Sequence, residues 1–391
     1  MYVSRAGIAV TVAVAASIAM GTAGGGAAAT AAPRGHTVCR TAPAAELVQQ
    51  AISGLPAADA TGAQVRMGGS GGCRQGTAGV ADRRTGRAPR GDGRFRAGSV
   101  TKAFTAAVTL QLVHEGKVRL DGTVQQYLPG LLPTRYPDIK VEQLLNYTSG
   151  LPTVPVEGGF DEHRYTTWGH RELVRRSVTA DMMFTPGSRQ HYSNIGYNVL
   201  GLLIEKVTGR SYEQEVRDRV IKPNGLKGTY SPGNDPKIHG RHTRGYQLEK
   251  NRLVDVTEWS QSGTWASGDL VSTTADLERF MTALFGGRIV PEPELKLMFT
   301  TPAVPAYDVT DPANEKKKAV YSSGLTLLGT VDGAEVWGKT GSRYGYLAGF
   351  AATRDLSRTL TYSVNATEAK AEKPNPTMVR IATAFGLRPA Q

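Results

Sequence analysis

The fold prediction starts from one stretch, Phe95-Arg-Ala-Gly-Ser99-Val-Thr-Lys102-Ala-Phe-Thr-Ala-Ala-Val-Thr-Leu-Gln-Leu-Val113. Residues 103–113 are apolar around most of a helical circumference, which predicts a helix buried in the middle of a domain. Gly116 follows as a helix stop. Lys102 lies three residues after Ser99, so one helical turn brings its ammonium group beside the serine hydroxyl.

This lysine is poorly placed for stability. The N-terminus of a helix favours negative charge, and burial disfavours an ammonium group. A desolvated lysine can instead take the proton of a nearby hydroxyl and turn it into a nucleophile. We therefore predict that Ser99 is a nucleophile and that Lys102 activates it. Because a Ser-x-x-Lys match is common by chance, the prediction needs support from the rest of the chain.

The N-terminal region has the pattern of an export signal. Arg5 gives a positive start, residues 8–20 form an apolar core, and Ala29-Thr30-Ala31 fits a small-x-small cleavage site. We expect residues 1–31 to be a signal peptide and residues 32–391 to form the mature domain. The alternative is a single membrane anchor, but the apolar run is short and is not followed by basic residues.

The two cysteines, Cys39 and Cys73, both lie early in the mature chain. In an exported protein we expect them to form a disulfide, which would contribute about 3–4 kcal/mol to stability. Two free thiols are the alternative. So few cysteines, with scattered histidines, give no support for a metal site, and His239 and His242 are interpreted as part of a polar loop.

The charge is strongly basic. The formal net charge is +12 for 391 residues, and arginines crowd the segment 83–96. A basic exported protein can remain close to anionic polymers of the cell envelope. The alternative is that these arginines belong to a solvated hairpin. Since no aromatic residues alternate with these arginines, we predict no nucleic-acid partner.

The rest of the chain predicts an α+β fold. Short runs bounded by glycine and other turn residues have the length and composition of antiparallel strands, with turns at Gly329, Asp332-Gly333 and Asp355. Helical patterns occur at residues 44–52 and 377–385. The predicted strands are 64–67, 77–81, 320–328, 334–338, 346–353 and 358–365. We therefore expect a two-lobed molecule: an antiparallel sheet flanked by N- and C-terminal helices, with a helical lobe inserted at roughly residues 103–300.

Two further short patterns could meet Ser99 in such a fold. Tyr192-Ser-Asn194 precedes an apolar helix; a phenol can pass a proton to a leaving group, and an amide can hold a carbonyl. Lys339-Thr-Gly341-Ser ends a predicted strand, where glycine permits close approach of a substrate backbone and lysine attracts an anionic group. Taken singly, each pattern also fits an ordinary helix start or strand end.

Together and in this order, the three patterns resemble the set found in penicillin-recognising serine enzymes. The sequence is similar to the family of class C β-lactamases and serine D-alanyl-D-alanine carboxypeptidases, and most similar to its small secreted carboxypeptidases. The resemblance covers roughly residues 93–386. It includes Leu144-Leu-Asn-Tyr-Thr-Ser-Gly-Leu-Pro152, Pro186-Gly-Ser-Arg-Gln-His-Tyr-Ser-Asn-Ile-Gly-Tyr197 and Gly338-Lys-Thr-Gly-Ser-Arg-Tyr-Gly-Tyr346. It implies a β-lactamase/transpeptidase-like fold with the site between the lobes.

The resemblance also implies a reaction, which is acyl transfer through an ester on Ser99. Lys102 and Tyr192 would share the proton taken from the serine, and Tyr192 would return it to the leaving amine. No metal and no cofactor is implied.

The same resemblance assigns the binding groups. Asn194 would bind the amide carbonyl of the substrate, and Lys339 would keep Tyr192 in its working charge state. Thr340 would contact the substrate carboxylate. The backbone N–H groups of Ser99 and Ser342 would form the oxyanion hole, which is commonly worth roughly 10²–10³ in rate per donor.

Some residues depart from the family pattern. The carboxypeptidases often have histidine where Lys339 stands, so this lysine favours the β-lactamases. They can also carry a basic residue on the preceding strand, where this chain has Leu328. We expect either that Arg343 substitutes as the carboxylate anchor or that the substrate differs; the alternative for Arg343 is a solvated turn residue.

Two matches are interpreted as unrelated to catalysis. Gly-Gly-Ser70-Gly-Gly matches the Gly-x-Ser-x-Gly elbow but lacks the strand before it and the helix after it. Glu142-Gln-Leu-Leu-Asn146 is similar to the glutamate motif of class A β-lactamases but precedes Tyr192 instead of following it, so we expect a structural helix end.

The sequence thus predicts a secreted, monomeric serine D-alanyl-D-alanine carboxypeptidase that acts on peptidoglycan stem peptides, without an integral membrane segment in the mature chain. A β-lactamase or a small-ester hydrolase of the same family is the alternative. A non-catalytic penicillin-binding sensor is an alternative of another class.

Overall fold

The computed structural model describes residues 46–152 and 162–390. The predicted signal peptide and Cys39 lie outside the described residues, so export and the Cys39–Cys73 bridge stay predictions. No helix in the described part of the chain is long and apolar enough to cross a membrane.

The centre of the fold is a seven-stranded sheet with the order β11-β7-β8-β9-β10-β1-β2, in which all neighbouring strands run antiparallel. Two small two-stranded sheets pair β3 with β6 and β4 with β5. The strands are β1 Ala60–Gly69, β2 Arg74–Gly79, β3 Phe95–Arg96, β4 Tyr246–Glu249, β5 Arg252–Asp255, β6 Val271–Ser272, β7 Thr326–Val331, β8 Ala334–Arg343, β9 Tyr346–Thr353, β10 Arg358–Ala366 and β11 Arg388–Pro389.

Helices cover both faces of the large sheet. Alternate residues of a strand point to opposite sides, and the apolar side chains on each side pack against helices. On β9, Phe350 faces the larger core, which includes the helical lobe, and Ala351 faces the core beneath the terminal helices. The helices are α1 Glu46–Ala51, α2 Thr101–His114, α3 Val124–Tyr127, α4 Val141–Leu145, α5 His170–Ser177, α6 Asn194–Thr208, α7 Tyr212–Val216, α8 Thr274–Phe285, α9 Glu294–Leu297 and α10 Pro376–Phe385. The predicted α+β architecture is confirmed.

The last quarter of the chain differs from the prediction at one strand. The run predicted for 320–328 with a turn at Gly329 is instead the strand β7, which begins at Thr326 and passes through Gly329. Gly329 has φ +147°, and the pairing register with β8 shifts beside it. A Cβ at this position would lie 1.8 Å from the carbonyl oxygen of Arg388, so the glycine permits the close approach of β11 and does not form a turn.

Candidate active site

Ser99 lies in a tight 3₁₀ turn, Gly98–Val100, which leads directly into the buried helix α2. Helix α2 begins at Thr101, two residues after Ser99. A backbone hydrogen bond holds the turn in place: the N–H of Ala97 donates to the carbonyl oxygen of Leu270 at 2.8 Å. Gly98 takes a positive φ of +53°, a conformation that glycine adopts readily. The result is a half-buried serine at the N-terminal end of a rigid helix.

Lys102 is fully buried, and its Nζ atom is surrounded by oxygen atoms. It lies 2.7 Å from Oδ1 of Asn194 and 2.6 Å from the carbonyl oxygen of Ser267. The third neighbour is Oγ of Ser99 at 3.2 Å. The two shorter contacts are to oxygens that can only accept. If the amine of Lys102 is neutral, its two N–H groups donate to these two oxygens. The lone pair of Nζ is then left to face the hydroxyl of Ser99.

Electrostatics favour this neutral amine. Burial lowers the pKa of Lys102 well below its usual range, and the positive charges of Lys339, Lys370 and Arg343 lower it further. Every charge that shifts the pKa of Lys102 is therefore positive. The predicted pair of serine and lysine is brought together in a geometry in which the lysine can accept a proton.

Tyr192 lies between the two lysines of the predicted site. Its ring centroid is 4.9 Å from Nζ of Lys102 and 5.0 Å from Nζ of Lys339. The ring is held by two further tyrosines: Tyr147 stacks on it at 5.1 Å, and Tyr321 leans against it at 5.3 Å. These contacts fix the orientation of the phenol.

Tyr192 keeps its proton in this environment. Burial raises its pKa, and a hydrogen bond with Ser99 lowers it only in part. Since the pKa of Lys102 moves down while that of Tyr192 moves up, the lysine is the stronger candidate for the base that receives the serine proton. The phenol is then available to donate.

Strand β8 passes directly beside the nucleophile. A Cβ on Gly341 would lie 1.9 Å from the carbonyl oxygen of Ala97 and 2.8 Å from the backbone nitrogen of Ser99. Likewise, a Cβ on Gly98 would lie 2.7 Å from the backbone nitrogen of Ser342. Both glycines are needed for this contact, which brings the two predicted oxyanion-hole nitrogens to the same place.

The hydroxyl of Ser342 makes a structural contact. Its Oγ donates to the carbonyl oxygen of Ala369 at 2.5 Å. The carbonyl oxygen of Ser342 accepts a hydrogen bond from Nζ of Lys370 at 3.0 Å. The backbone of Ser342, rather than its side chain, therefore belongs to the site.

Lys339 and Thr340 differ in exposure. Lys339 is buried, with its Nζ donating to the carbonyl oxygen of Thr340 at 3.2 Å, and burial lowers its pKa to about 7. Thr340 is exposed. A lysine with this pKa changes its charge near neutral pH.

Arg343 is not the solvated turn residue considered from the sequence. It is the last residue of β8 and is 3% exposed. Its charge reaches Lys102, whose pKa it lowers. By strand alternation its side chain lies on the same face of β8 as that of Lys339. Its role as an anchor for the substrate carboxylate stays a prediction.

Strand β8 also has an unpaired edge at the site. Its pairing with β7 ends at Gly338, whereas its pairing with β9 continues to Arg343. Among the strands that the structure describes, none covers the β7 side of residues 339–343. An extended substrate can therefore add to this edge as a further strand.

Asn194 is exposed and is the first residue of α6, so the cap of that helix is Ser193, whose side chain accepts from the N–H of Gly196.

The two motifs interpreted as unrelated to catalysis place Ser70 and Glu142 at the surface, although Leu144 and Leu145 of the second motif are buried. Ser70 lies in an exposed turn between β1 and β2. The prediction that no strand precedes it is wrong, because β1 ends at Gly69, but a strand and not a helix follows, so the elbow is still not formed. Glu142 forms an ion pair with Lys140 at 3.4 Å.

Sequence reasoning missed several groups of the site. The carbonyl of Ser267 has no residue signature, because any residue type offers the same oxygen. Tyr147 and Tyr321 lie far apart in sequence, yet their rings are 5.1 Å apart and both contact Tyr192. Lys370 follows β10 by four residues, and a lone lysine in a predicted loop gives no signal.

Comparison with known proteins agrees with this geometry. Residues 18–384 match the family model described as Beta-lactamase. The chain belongs to the beta-lactamase family. Members of this beta-lactamase family are serine hydrolases that include penicillin-binding proteins, esterases and amidases.

Two solved structures cover nearly the whole fold of this family member. The D-stereospecific amidohydrolase from Streptomyces sp. is 33% identical with a TM-score of 0.75, and the match covers 87% of this chain and 98% of that chain. The D-amino acid amidase from Ochrobactrum anthropi SV3, complexed with D-phenylalanine, is 27% identical with a TM-score of 0.73, over the same shares.

Curated relatives in the beta-lactamase family match over shorter shares. Penicillin-binding protein 4* of Bacillus subtilis (strain 168) is 25% identical over 70% of this chain and 61% of its own length. Esterase EstB of Burkholderia gladioli is 34% identical over 46% of this chain and 49% of its own length. The chain thus spans about half to three fifths of the length of these two relatives.

Proposed function

We propose that the chain is a serine-type D-alanyl-D-alanine carboxypeptidase that acts on peptidoglycan stem peptides. The observation that carries the proposal is the charge around the nucleophile. Lys339, Lys370 and Arg343 all act on Lys102, and each contributes positive charge, Lys339 below about pH 7. A substrate whose leaving residue ends in a carboxylate fits this field, because that carboxylate is attracted to the site.

In the proposed acylation, Oγ of Ser99 attacks the carbonyl carbon of the penultimate D-residue. The proton of the hydroxyl passes to Nζ of Lys102, and the new oxyanion is held by the backbone N–H groups of Ser99 and Ser342. Tyr192 then protonates the leaving nitrogen as the C–N bond breaks, and Lys102 restores the proton of the phenol. Water hydrolyses the ester in the second half of the reaction.

The unpaired edge of β8 supports a direction for the substrate. A peptide that pairs antiparallel with residues 339–343 runs opposite to β8, so its C-terminus lies toward Lys339 and Thr340. Its N-terminal part then lies toward Arg343, so in this pose Lys339 and Thr340 contact the carboxylate and Arg343 does not serve as its anchor. The side chain of Asn194 then binds the amide carbonyl in the part of the substrate that remains attached to Ser99.

A second candidate is a D-amino acid amidase. It is supported by the similarity to the D-stereospecific amidohydrolase, which extends over 98% of that chain. The substrate of such an enzyme carries a free ammonium group on its acyl part. The cations around Lys102 disfavour that group, and we therefore rank the carboxypeptidase first.

We expect a blocked peptide ending in D-Ala-D-Ala to be the best substrate in a panel. The matched control is the same peptide with its C-terminal carboxylate converted to an amide, which should lower kcat/KM by roughly 10–100-fold, as for loss of a hydrogen bond to a charged group. A D-amino acid amide, a cephalosporin and a short-chain ester complete the panel. Steady-state kinetics with pure protein measure all five compounds.

The panel separates the candidates. Faster turnover of the D-amino acid amide than of the peptide establishes the second candidate. Equal turnover of the acid and amide peptides contradicts the proposed use of the cations. Labelling by penicillin without turnover of any compound identifies a sensor.

The pH dependence should differ between the acid and amide peptides. Burial lowers the pKa of Lys339 to about 7, so Lys339 is charged below this pH and neutral above it. The kcat/KM for the acid peptide should therefore fall by about tenfold above pH 7, because the carboxylate loses one charged partner. The amide peptide should show no such fall.

The control for this prediction is Lys339→Arg, which keeps its charge at all accessible pH values. In that variant the decline of the acid peptide should move out of the measured range. Identical pH profiles for the two peptides would show that Lys339 does not bind the carboxylate.

A further inference from the structure

A second basic surface lies away from the nucleophile. It consists of the side chains of six arginines and is called the arginine face here: Arg83, Arg84, Arg87, Arg90, Arg94 and Arg241. Five of them come from the segment 82–94, which contains no lysine. None of the six is used in the proposed reaction.

Two loops are joined to build this face. The N–H of Arg94 donates to the carbonyl oxygen of Arg241 at 2.9 Å, and the N–H of Thr243 donates back to Arg94 at 3.0 Å. The N–H of Arg244 adds a bond to Ala81 at 2.8 Å. Because backbone bonds hold the loops together, the arginines have fixed origins on one surface.

The charge of the face is only partly neutralised within the described residues. Asp82 pairs with Arg84 at 3.0 Å, and Asp92 lies 3.0 Å from Arg90 and 3.8 Å from Arg241. These three arginines remain widely exposed in spite of their ion pairs, with side-chain exposures of 64%, 55% and 70%.

The other three arginines contact uncharged groups. Arg87 donates to the carbonyl oxygen of His242 at 3.1 Å, and Arg94 donates to that of His239 at 2.6 Å. Arg83 lies over the ring of Tyr246 at 5.9 Å. Carbonyl and ring contacts orient a guanidinium group but leave its charge in place.

His242 lies next to this surface, and Arg87 of the arginine face acts on it. Burial lowers the pKa of His242, and the positive charges of Arg244, Arg87 and Arg96 lower it further. The second of the two loops, residues 231–245, contains one carboxylate, Asp235. Asp235 pairs with His239 at 2.5 Å. Asp82 and Asp92 are thus the carboxylates that form ion pairs with the arginine face among the described residues, while Asp255 acts on Arg84 through its charge without forming an ion pair with it.

We propose that the arginine face binds a flexible linear polymer whose repeating units carry phosphate groups. Arginine suits phosphate because its planar guanidinium group can donate two parallel hydrogen bonds, and the segment 82–94 carries arginine as its only basic residue type. Several exposed arginines in a row fit repeated charges better than one isolated anion. The rings at this surface do not suit nucleic-acid bases, since Tyr246 is buried and Arg94 lies over Tyr230.

Retention on immobilised inorganic polyphosphate tests the proposal with the full chain. Binding should weaken steeply with salt, with a slope of log K against log[salt] of about −3 to −4 for five contacts to a flexible chain. The triple variant Arg84→Gln/Arg87→Gln/Arg241→Gln should lose about 2 from this slope. Hydrolysis of a small soluble substrate should stay unchanged, which separates this test from that of the proposed function.

Two further variants make the result specific. The exposed arginines of α5 offer a matched control, because Arg171→Gln/Arg175→Gln/Arg176→Gln removes the same charge from another surface. It should bind polyphosphate as the wild type does. Replacing Arg84, Arg87 and Arg241 by lysine should keep the salt slope, because the charge is retained, but should weaken binding, because lysine lacks the planar guanidinium group. The retained slope also shows that the loops still fold.

Three outcomes would overturn the proposal. Equal loss of binding in the two glutamine triples means that net charge alone is responsible. Tighter retention on polyglutamate than on polyphosphate means that the face prefers carboxylates. Tighter binding of duplex DNA than of polyphosphate means that nucleic acid is the partner.

Discussion

The Ser99→Ala variant should form no covalent adduct with a labelled penicillin and should lose peptide hydrolysis by about 10⁴-fold or more, as for removal of a catalytic nucleophile. Oγ of Ser99 is the atom that lies 3.2 Å from Nζ of Lys102, and alanine removes only that atom. The fold should persist, because the turn is held by the backbone bond from Ala97 to Leu270. Mass spectrometry of the labelled protein and circular dichroism of the variant check both parts.

A matched control is Ser70→Ala. Ser70 matches a different serine-hydrolase pattern in the sequence, but it lies in an exposed turn between two strands. The elbow requires a strand before the serine and a helix after it. This variant should label as the wild type does. Adduct on Ser70, or undiminished labelling of Ser99→Ala, would refute the assigned nucleophile.

Much of the fold could be predicted because its signals are local. The apolar circumference of α2 predicted a buried helix, and three-residue spacing predicted that Lys102 would approach Ser99. Four consecutive runs near the C-terminus predicted antiparallel neighbours. The error at Gly329 has a physical reason: a glycine in a strand and a glycine in a turn look alike in sequence, and the close contact with β11 involves residues almost sixty positions away.

The candidate site was predictable only in part, for a related reason. Tyr192 and Lys339 lie far from Ser99 in sequence, and it was the resemblance to a family that placed them together. Spacing alone could not reveal that the carbonyl of Ser267 helps orient Lys102. Nor could it reveal that Gly98 and Gly341 face each other across the contact between the Ser99 turn and β8. Such contacts arise when separate segments pack together, and they produce no periodic pattern in the sequence.

Lys102→Ala should lower acylation by every substrate class by about 10²–10⁴-fold, the range for lost general acid–base catalysis. The reason is that Lys102 acts on the serine proton and not on a particular substrate. Acid peptide, amide peptide and ester should therefore lose similar factors. This pattern differs from that expected for Lys339, whose charge also acts on Lys102 but whose loss should slow substrates with a carboxylate more than the others. Single-turnover acylation rates measure the effect directly.

The variant Lys102→Arg separates a base from a positive charge. Arginine keeps its charge throughout the accessible pH range and cannot accept the proton, so this variant should be about as slow as Lys102→Ala. In the wild type, burial and three neighbouring cations lower the pKa of Lys102, and its neutral form increases as pH rises. Acylation of an uncharged ester should accordingly rise with pH to a plateau, and Lys102→Arg should lack that rise. Substantial activity in Lys102→Arg would show that Lys102 serves as a fixed charge and that another group, with Tyr192 the nearest candidate, receives the proton of Ser99.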